Sequence, residues 1–269
     1  IQKSSFDVPS LIALILTFSG LIFGFSNMSQ MNLTVILAFV VGIIGLTWFI
    51  LRSNNLSEPL LNLGVLKNHI FSGHLLSFFL FQILSLGFAF ILPNYIQLVN
   101  GNNATVAGLA VLPAGVVGAI LAPLGGKILD EVGARIPILS GVTLANISLI
   151  IFAIFSLKLS NTMIVWFYII YMLGMGMSVG NIMTDGLKYL SNDDQADGNA
   201  LLNTLQQFAG ATGTSIVSAI IAQSQSNTHL STATSTAIGT QHAFIVLVIL
   251  GLINLCILFI YVPRKNHSK

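Results

Sequence analysis

The decapeptide Gly126-Lys-Ile-Leu-Asp130-Glu-Val-Gly133-Ala-Arg135 places Lys127, Asp130, Glu131 and Arg135 within nine positions. Only 7% of the 269 residues are charged, so this density is local and unusual. Carboxylates and cations set this close can hold each other in charge-assisted hydrogen bonds, meet a helix terminus, or keep a turn in water. Elsewhere the groups with chemical capacity are mostly neutral and sit inside apolar runs: His74, Gln82, Asn146, Asn181 and Asn254. Asn203, Gln206 and Gln207 are three and four apart, hence on one helix face, with Gly210 and Gly213 roughly continuing the stripe. Such amides either line a polar pathway or bond one helix to another. His74 adds a side chain able to titrate near neutrality, unless its role is structural.

Other chemistries lose their footing. Gly176-Met-Ser178-Val-Gly180 spells the elbow of a serine hydrolase, but it lies within an apolar run with no carboxylate at its depth. All eight acidic residues (Asp7, Glu58, Asp130, Glu131, Asp185, Asp193, Asp194 and Asp197) fall in or beside segments expected on one side of a membrane. A mid-membrane carboxylate would mark a proton relay or cation anchor, and none is read here. Any coupling carboxylate is therefore expected in a part of the parent protein outside this chain. The one cysteine, Cys256, excludes a disulfide framework and reads as a packing residue. No metal site, cofactor or nucleic-acid partner is expected. Asn103-Ala-Thr105 matches a glycosylation sequon and carries no weight alone.

The elements that must position these groups are set by composition. A mean hydropathy of +0.90 with 55% hydrophobic residues cannot cover a soluble globule, so most of the chain belongs in lipid. Eight runs suit transmembrane helices: 9–26, 33–52, 70–92, 105–125, 136–157, 162–184, 200–222 and 242–262. Gly20/Gly24 and Gly176/Gly180 have the spacing of close helix contacts. With the N-terminus inside, Lys3, Arg52, Lys67, Lys127, Arg135, Lys188, Arg264, Lys265 and Lys269 are cytoplasmic, and Lys158 alone is outside. Both termini are then cytoplasmic. The lysine- and arginine-free loops 93–104 and 223–241 are exterior, the latter expected to be mobile. The charged decapeptide becomes the cytoplasmic turn between the fourth and fifth helices. The chain starts at Ile1, and it is expected to begin inside a longer parent.

The segment "GGKILDEVGARIPIL" resembles the cytoplasmic signature of the major facilitator superfamily, G-x-L-x-D-x-x-G-R-[RK]. Gly126, Asp130, Gly133 and Arg135 match it, while Ala134 stands where a basic residue is expected. In that superfamily the signature follows the second helix of each six-helix half. Here it follows the fourth, which makes helices three to eight a C-terminal half (69–269) and leaves two extra helices with a linker (1–68). That layout is similar to the fourteen-helix drug–proton antiporters. Further stretches resemble the same family: "LPNYIQLVNGNNATVAGLAVLPAGVVGAILAPLGGKI", "GNALLNTLQQFAGATGTSIVSAI" and the link "SEPLLNLGVLKNHIF".

The resemblance implies an all-α polytopic membrane protein of the plasma membrane that is not an enzyme. Its implied activity is proton-coupled efflux of hydrophobic or cationic drugs, with the N-terminal half of the same parent as partner. Gly126, Asp130, Gly133 and Arg135 become a cytoplasmic latch, with Gly126 and Gly133 permitting the turn. Asp130 is expected to pair with a cation such as Arg135, or to accept hydrogen bonds near a helix N-terminus. His74, Gln82, Asn203, Gln206 and Gln207 become candidates for the transport pathway. The alternatives are a facilitator of one specific metabolite, or a membrane scaffold or sensor that does not transport.

Overall fold

The computed structural model describes residues 7–28, 31–56, 59–226 and 229–263. Lys3, Glu58, Arg264, Lys265 and Lys269 lie outside the described residues. Among those described, the chain forms eight long α-helices: α1 (Val8–Ser26), α2 (Leu33–Asn55), α3 (His69–Leu98), α4 (Ala104–Val132), α5 (Arg135–Phe155), α6 (Asn161–Leu187), α7 (Gln195–Gln225) and α8 (Thr232–Tyr261). A short 3-10 helix, Leu63–Lys67, leads into α3. Each of the eight apolar runs is thus a helix. Seven are long and apolar enough to cross a membrane. The other, α7, has the length at 31 residues but is diluted by its amides, threonines, serines and glycines.

Starts are specified locally. Asp7, Asn32, Asn68, Asn103, Ser160 and Ser231 each accept a backbone N–H of the following helix, which satisfies donors that lipid cannot. Asn103 thereby has a structural role in its sequon-like triplet. Ends depart more from the apolar runs. α3 continues through Pro93 to Leu98, so the expected 93–104 loop shrinks. Asn94 donates to the Phe90 carbonyl (2.9 Å) in the turn that the proline loosens. Most of 223–241, expected as a mobile loop, is helix instead: α7 runs to Gln225 and α8 starts at Thr232. Small polar side chains allow this, because Thr236 and Thr240 are buried and Gln225 donates to Thr236 across the turn (2.7 Å).

α3 is the most enclosed helix and packs on α4, α6, α7 and α8. At mid-length Phe88 meets Phe152, Tyr168, Tyr171 and Phe244 edge to face, with centroids 4.6–5.3 Å apart. α1 and α2 form a hairpin that leans on α7, where Phe18 and Phe25 each lie 6.0 Å from the Phe208 ring. Within the hairpin, a Cβ on Gly20 would sit 2.5 Å from the backbone of Ala38 and Gly42. Gly24 is likewise closed by Phe39, and Gly176 by Gly118 and Leu121, as their spacing suggests. Gly180 differs, with nothing within 4 Å. Large apolar side chains such as Leu33, Ile154, Trp166 and Ile260 point outward, the arrangement of a protein solvated by lipid.

Candidate functional site

The charged decapeptide is mostly helix. α4 extends to Val132, so Lys127, Asp130 and Glu131 ride its last turns, and only Gly133 and Ala134 separate it from α5. Gly133 ends α4 at φ +90°, in the region that glycine enters without strain. Gly126 lies inside α4 with open space around it, so the turn does not need its freedom. Arg135 does not bond Asp130. Its guanidinium donates to the Val262 carbonyl just beyond α8 and lies 5.8 Å from the Phe259 ring centre. It fastens the start of α5 to the end of α8. Asp130 is exposed and makes no hydrogen bond or ion pair with the described residues.

Beside this turn is a cavity of about 330 Å³ lined by Asp130, Arg135, Asp185, Lys188, Tyr189 and Pro263, among others. Asp185 brings in the group that spacing alone did not reveal. Its carboxylate is 3.0 Å from His74 Nε2, with His74 1% and Asp185 6% exposed. The other imidazole nitrogen, Nδ1, is 2.8 Å from the Ile70 carbonyl, which can only accept. Nδ1 must therefore carry a hydrogen. The Nε2–Asp185 contact joins α3 to α6 in the interior, beside the charged cavity. Gly186 makes the approach possible, since a Cβ there would sit 2.7 Å from His74 Cβ. Burial, with the charge of Asp185 adding to it, pushes the nearby Tyr189 hydroxyl up.

The remaining candidates are spread out. Gln82 is buried on α3, whereas Asn203 and Gln207 on α7 are exposed and Gln206 is half-buried. Asn203 bonds its own helix at the Asn199 carbonyl (2.9 Å). Asn146 is an interhelical bond, donating to the Gly251 carbonyl of α8 at 3.2 Å. Asn181 joins α6 to α4 through the Gly125 carbonyl at 2.9 Å. Ser178 is fully buried and donates to the Gly174 carbonyl one turn back (2.7 Å), so it is a helix residue with no nucleophile geometry. Between α4 and α6 lies an apolar cavity of about 280 Å³ lined by Ala119, Ala122, Met172, Met175 and Val179 with three glycines. The methionines carry no sequence signal beyond their apolar character, because a thioether on a lipid-buried helix looks like any packing residue.

The chain is similar to several known proteins. Lincomycin resistance protein LmrB of Bacillus subtilis (strain 168) is 30% identical over 268 residues, covering 94% of this chain and 56% of that protein. The protein of the same name in Listeria monocytogenes serovar 1/2a is 31% identical over 273 residues, covering 97% and 58%. Multidrug efflux pump LfrA of Mycolicibacterium smegmatis is 29% identical over 141 residues, 52% of this chain and 28% of the pump. The chain spans little more than half the length of the two LmrB proteins. The family model described as Major Facilitator Superfamily matches residues 8–214, which takes in α1 to α6, the charged turn and the polar face of α7. With eight helices, a G-x-x-x-D-x-x-G-x-R turn capped at Gly133 and that match, the chain belongs to the major facilitator superfamily.

Proposed function

We propose that this chain is the C-terminal portion of a proton-driven exporter of hydrophobic and cationic compounds in the plasma membrane. The N-terminal half of the same parent supplies the opposite wall of the pathway, and both termini face the cytoplasm. Residues 1–68 are two extra helices with their linker, and residues 69–269 are the six-helix half. The substrate class rests on the names of the relatives, which include lincomycin resistance and multidrug efflux. The observation that carries the proton coupling is the His74–Asp185 contact, a buried imidazole against a carboxylate where two apolar helices meet the charged cavity. A drug cation and a proton need not bind the same group. They need only favour opposite states of the rocking bundles.

In this reading Gly126, Asp130, Gly133 and Arg135 form the cytoplasmic latch. Arg135 fixes the turn to α8, and the exposed Asp130 carboxylate is the group this reading gives to the opposite half. Gln82, Asn203, Gln206 and Gln207 supply polar positions along the pathway, and the methionine-lined cavity beside α4 and α6 supplies an adaptable apolar surface. The test is ethidium efflux from cells carrying the full-length parent, with and without a protonophore, beside Asp130→Asn. Efflux that stops with the proton gradient, and a mutant that inserts normally but exports poorly, are the expected results. Export that persists without the gradient contradicts the coupling. Normal turnover in Asp130→Asn removes the latch.

A further inference from the structure

The six helices α3 to α8 sort into two groups. α4, α5 and α6 pack mainly on one another, and so do α3, α7 and α8. The groups meet chiefly along two seams, α5 with α8 and α3 with α6. On the first seam Asn146 donates to the Gly251 carbonyl at 3.2 Å and to the Val142 carbonyl of its own helix at 2.9 Å. That uses its amide nitrogen, while its Oδ1 is buried and accepts nothing from the described residues. Gly251 makes the approach possible, since a Cβ there would strike the same Oδ1. Three residues along α8, Asn254 is 0% exposed, and neither its Oδ1 nor its Nδ2 has a partner among the described residues. Helical side chains lean towards the N-terminus, and positions three apart carry Cβ atoms about 5–6 Å apart. The Asn254 amide is therefore set one turn from the Asn146 oxygen, yet the two do not bond. A buried amide with nothing to bond is costly in lipid. That cost is explained if the amide has a partner in another state of the seam.

We propose that the α5–α8 seam has two positions and that Asn254 is the contact of the second. In the position seen here Asn146 bonds Gly251, and Arg135 bonds the Val262 carbonyl. In the second, α8 moves about 1–2 Å along α5, away from the Arg135 end, the scale of helix shifts in switching proteins. Asn254 Nδ2 then donates to Asn146 Oδ1, and two buried groups that lack partners gain them together. The shift draws the Val262 carbonyl past Arg135, so one bond resists the movement while the other holds its product. α3 travels with α8, so the movement is felt on the second seam. There Ser85 and Tyr171 share a hydrogen bond (2.8 Å) and His74 meets Asp185 (3.0 Å). The slide thereby reaches the contact that the export reading gives to proton coupling, and its role in turnover rests on that reading.

The experiment uses the full-length parent, with thermal unfolding in detergent and ethidium efflux in proteoliposomes read on the same preparations. Asn254→Leu removes the amide and leaves an apolar side chain in its place. It is expected to raise the unfolding midpoint, because the first position loses an unpaired group. It is also expected to slow efflux about fivefold or more, because the second position loses its bond. Asn146→Leu is expected to lower the midpoint and to slow efflux as well. The double variant separates a moving contact from a fixed one. Its midpoint shift should be the sum of the single shifts, since the two amides do not meet in the first position. Its efflux should be no slower than in Asn146→Leu alone, since Asn254 then has no partner to lose. Normal efflux in Asn254→Leu, or single effects that multiply in the double variant, overturns the proposal. A lowered midpoint or loss of folded protein in Asn254→Leu overturns it too, since the amide would then be bonded in the position seen here. A wild type that moves no ethidium counts against the export reading instead, and the midpoints still decide whether Asn254 is a spare contact.

Discussion

His74 and Asp185 form a buried contact between α3 and α6, with Nε2 3.0 Å from the carboxylate and the other ring nitrogen held at the Ile70 carbonyl. Asp185→Asn keeps a donor for Nε2 and preserves the shape, yet cannot release a proton. Insertion and thermal midpoint are expected to hold, while gradient-driven efflux falls about tenfold, within the usual range of a coupling free energy. Unchanged efflux and an unchanged pH profile in that variant would strip the pair of its role. Asp185→Leu leaves the imidazole without its partner and is expected to lose about 1–3 kcal/mol of stability, read by thermal unfolding. Reading the sequence alone isolates His74 as a titrating candidate but misses its partner. The sixth apolar run stops at 184, so Asp185 reads as a water-side residue, whereas α6 continues to Leu187 and buries it. A contact 111 residues apart leaves no trace in periodicity or spacing. The signature residues are legible for the opposite reason: Gly133 and Arg135 act within a few positions of each other, through a backbone turn and a charge.

Helices are the scale at which sequence speaks most plainly. Lipid demands about 20 apolar residues with internally bonded backbone, so the apolar runs and their Asn or Ser caps mark the starts. Ends are harder to place, because polar small residues continue α7 and α8 into what reads as loop. Helix contacts are set by glycine, and the structure separates packed glycines from free ones. A Cβ on Gly174 would strike the Gly141 carbonyl, and one on Gly213 the Ile83 carbonyl, whereas Gly115 and Gly180 face open space. Gly174→Val and Gly213→Val are each expected to cost about 1–3 kcal/mol by forcing α5 from α6 and α7 from α3. Gly115→Val and Gly180→Val should change the unfolding midpoint little, and equal effects in all four would break the packing argument. The hairpin offers a pH test. Its Arg52–Asp7 pair (2.9 Å) holds the Asp7 carboxyl below its ordinary value of 3.8, chiefly through the hydrogen bond to Arg52. A lowered carboxyl contributes above the ordinary range and is lost as pH falls through the lowered value. Arg52→Gln should therefore lower the midpoint at pH 7, with a difference that fades as acid protonates Asp7 through its lowered value.

For the whole molecule, charge placement and helix count combine into one architecture. The described basic residues Arg52, Lys67, Lys127, Arg135 and Lys188 lie in or beside segments at one end, and Lys158 lies at the connection of α5 to α6. The eight-helix, all-α membrane architecture was legible because hydrophobicity and charge act over whole segments. The lining of any central pathway was less so, since amides that bond helices and amides that meet substrate have the same composition. Asn146 proved to bond α5 to α8, while Asn203 and Gln207 remain at an exposed face of α7. Cysteines at Gln206 and Gln207 in the full-length parent are expected to react with water-soluble thiol reagents and to be shielded by substrate, after replacement of the exposed Cys256. Labelling no faster than at lipid-facing Ile154 would mark that face as packing.

The central claim is exchange of substrate for protons, and it is tested most directly in liposomes holding the purified full-length parent and an internal pH dye. Addition of a lipophilic cation on the side from which it is transported is expected to move protons the opposite way. That signal should be saturable, and weakened in Asp185→Asn. Substrate movement with no accompanying proton flux, in a wild-type protein that is demonstrably active, would contradict the account.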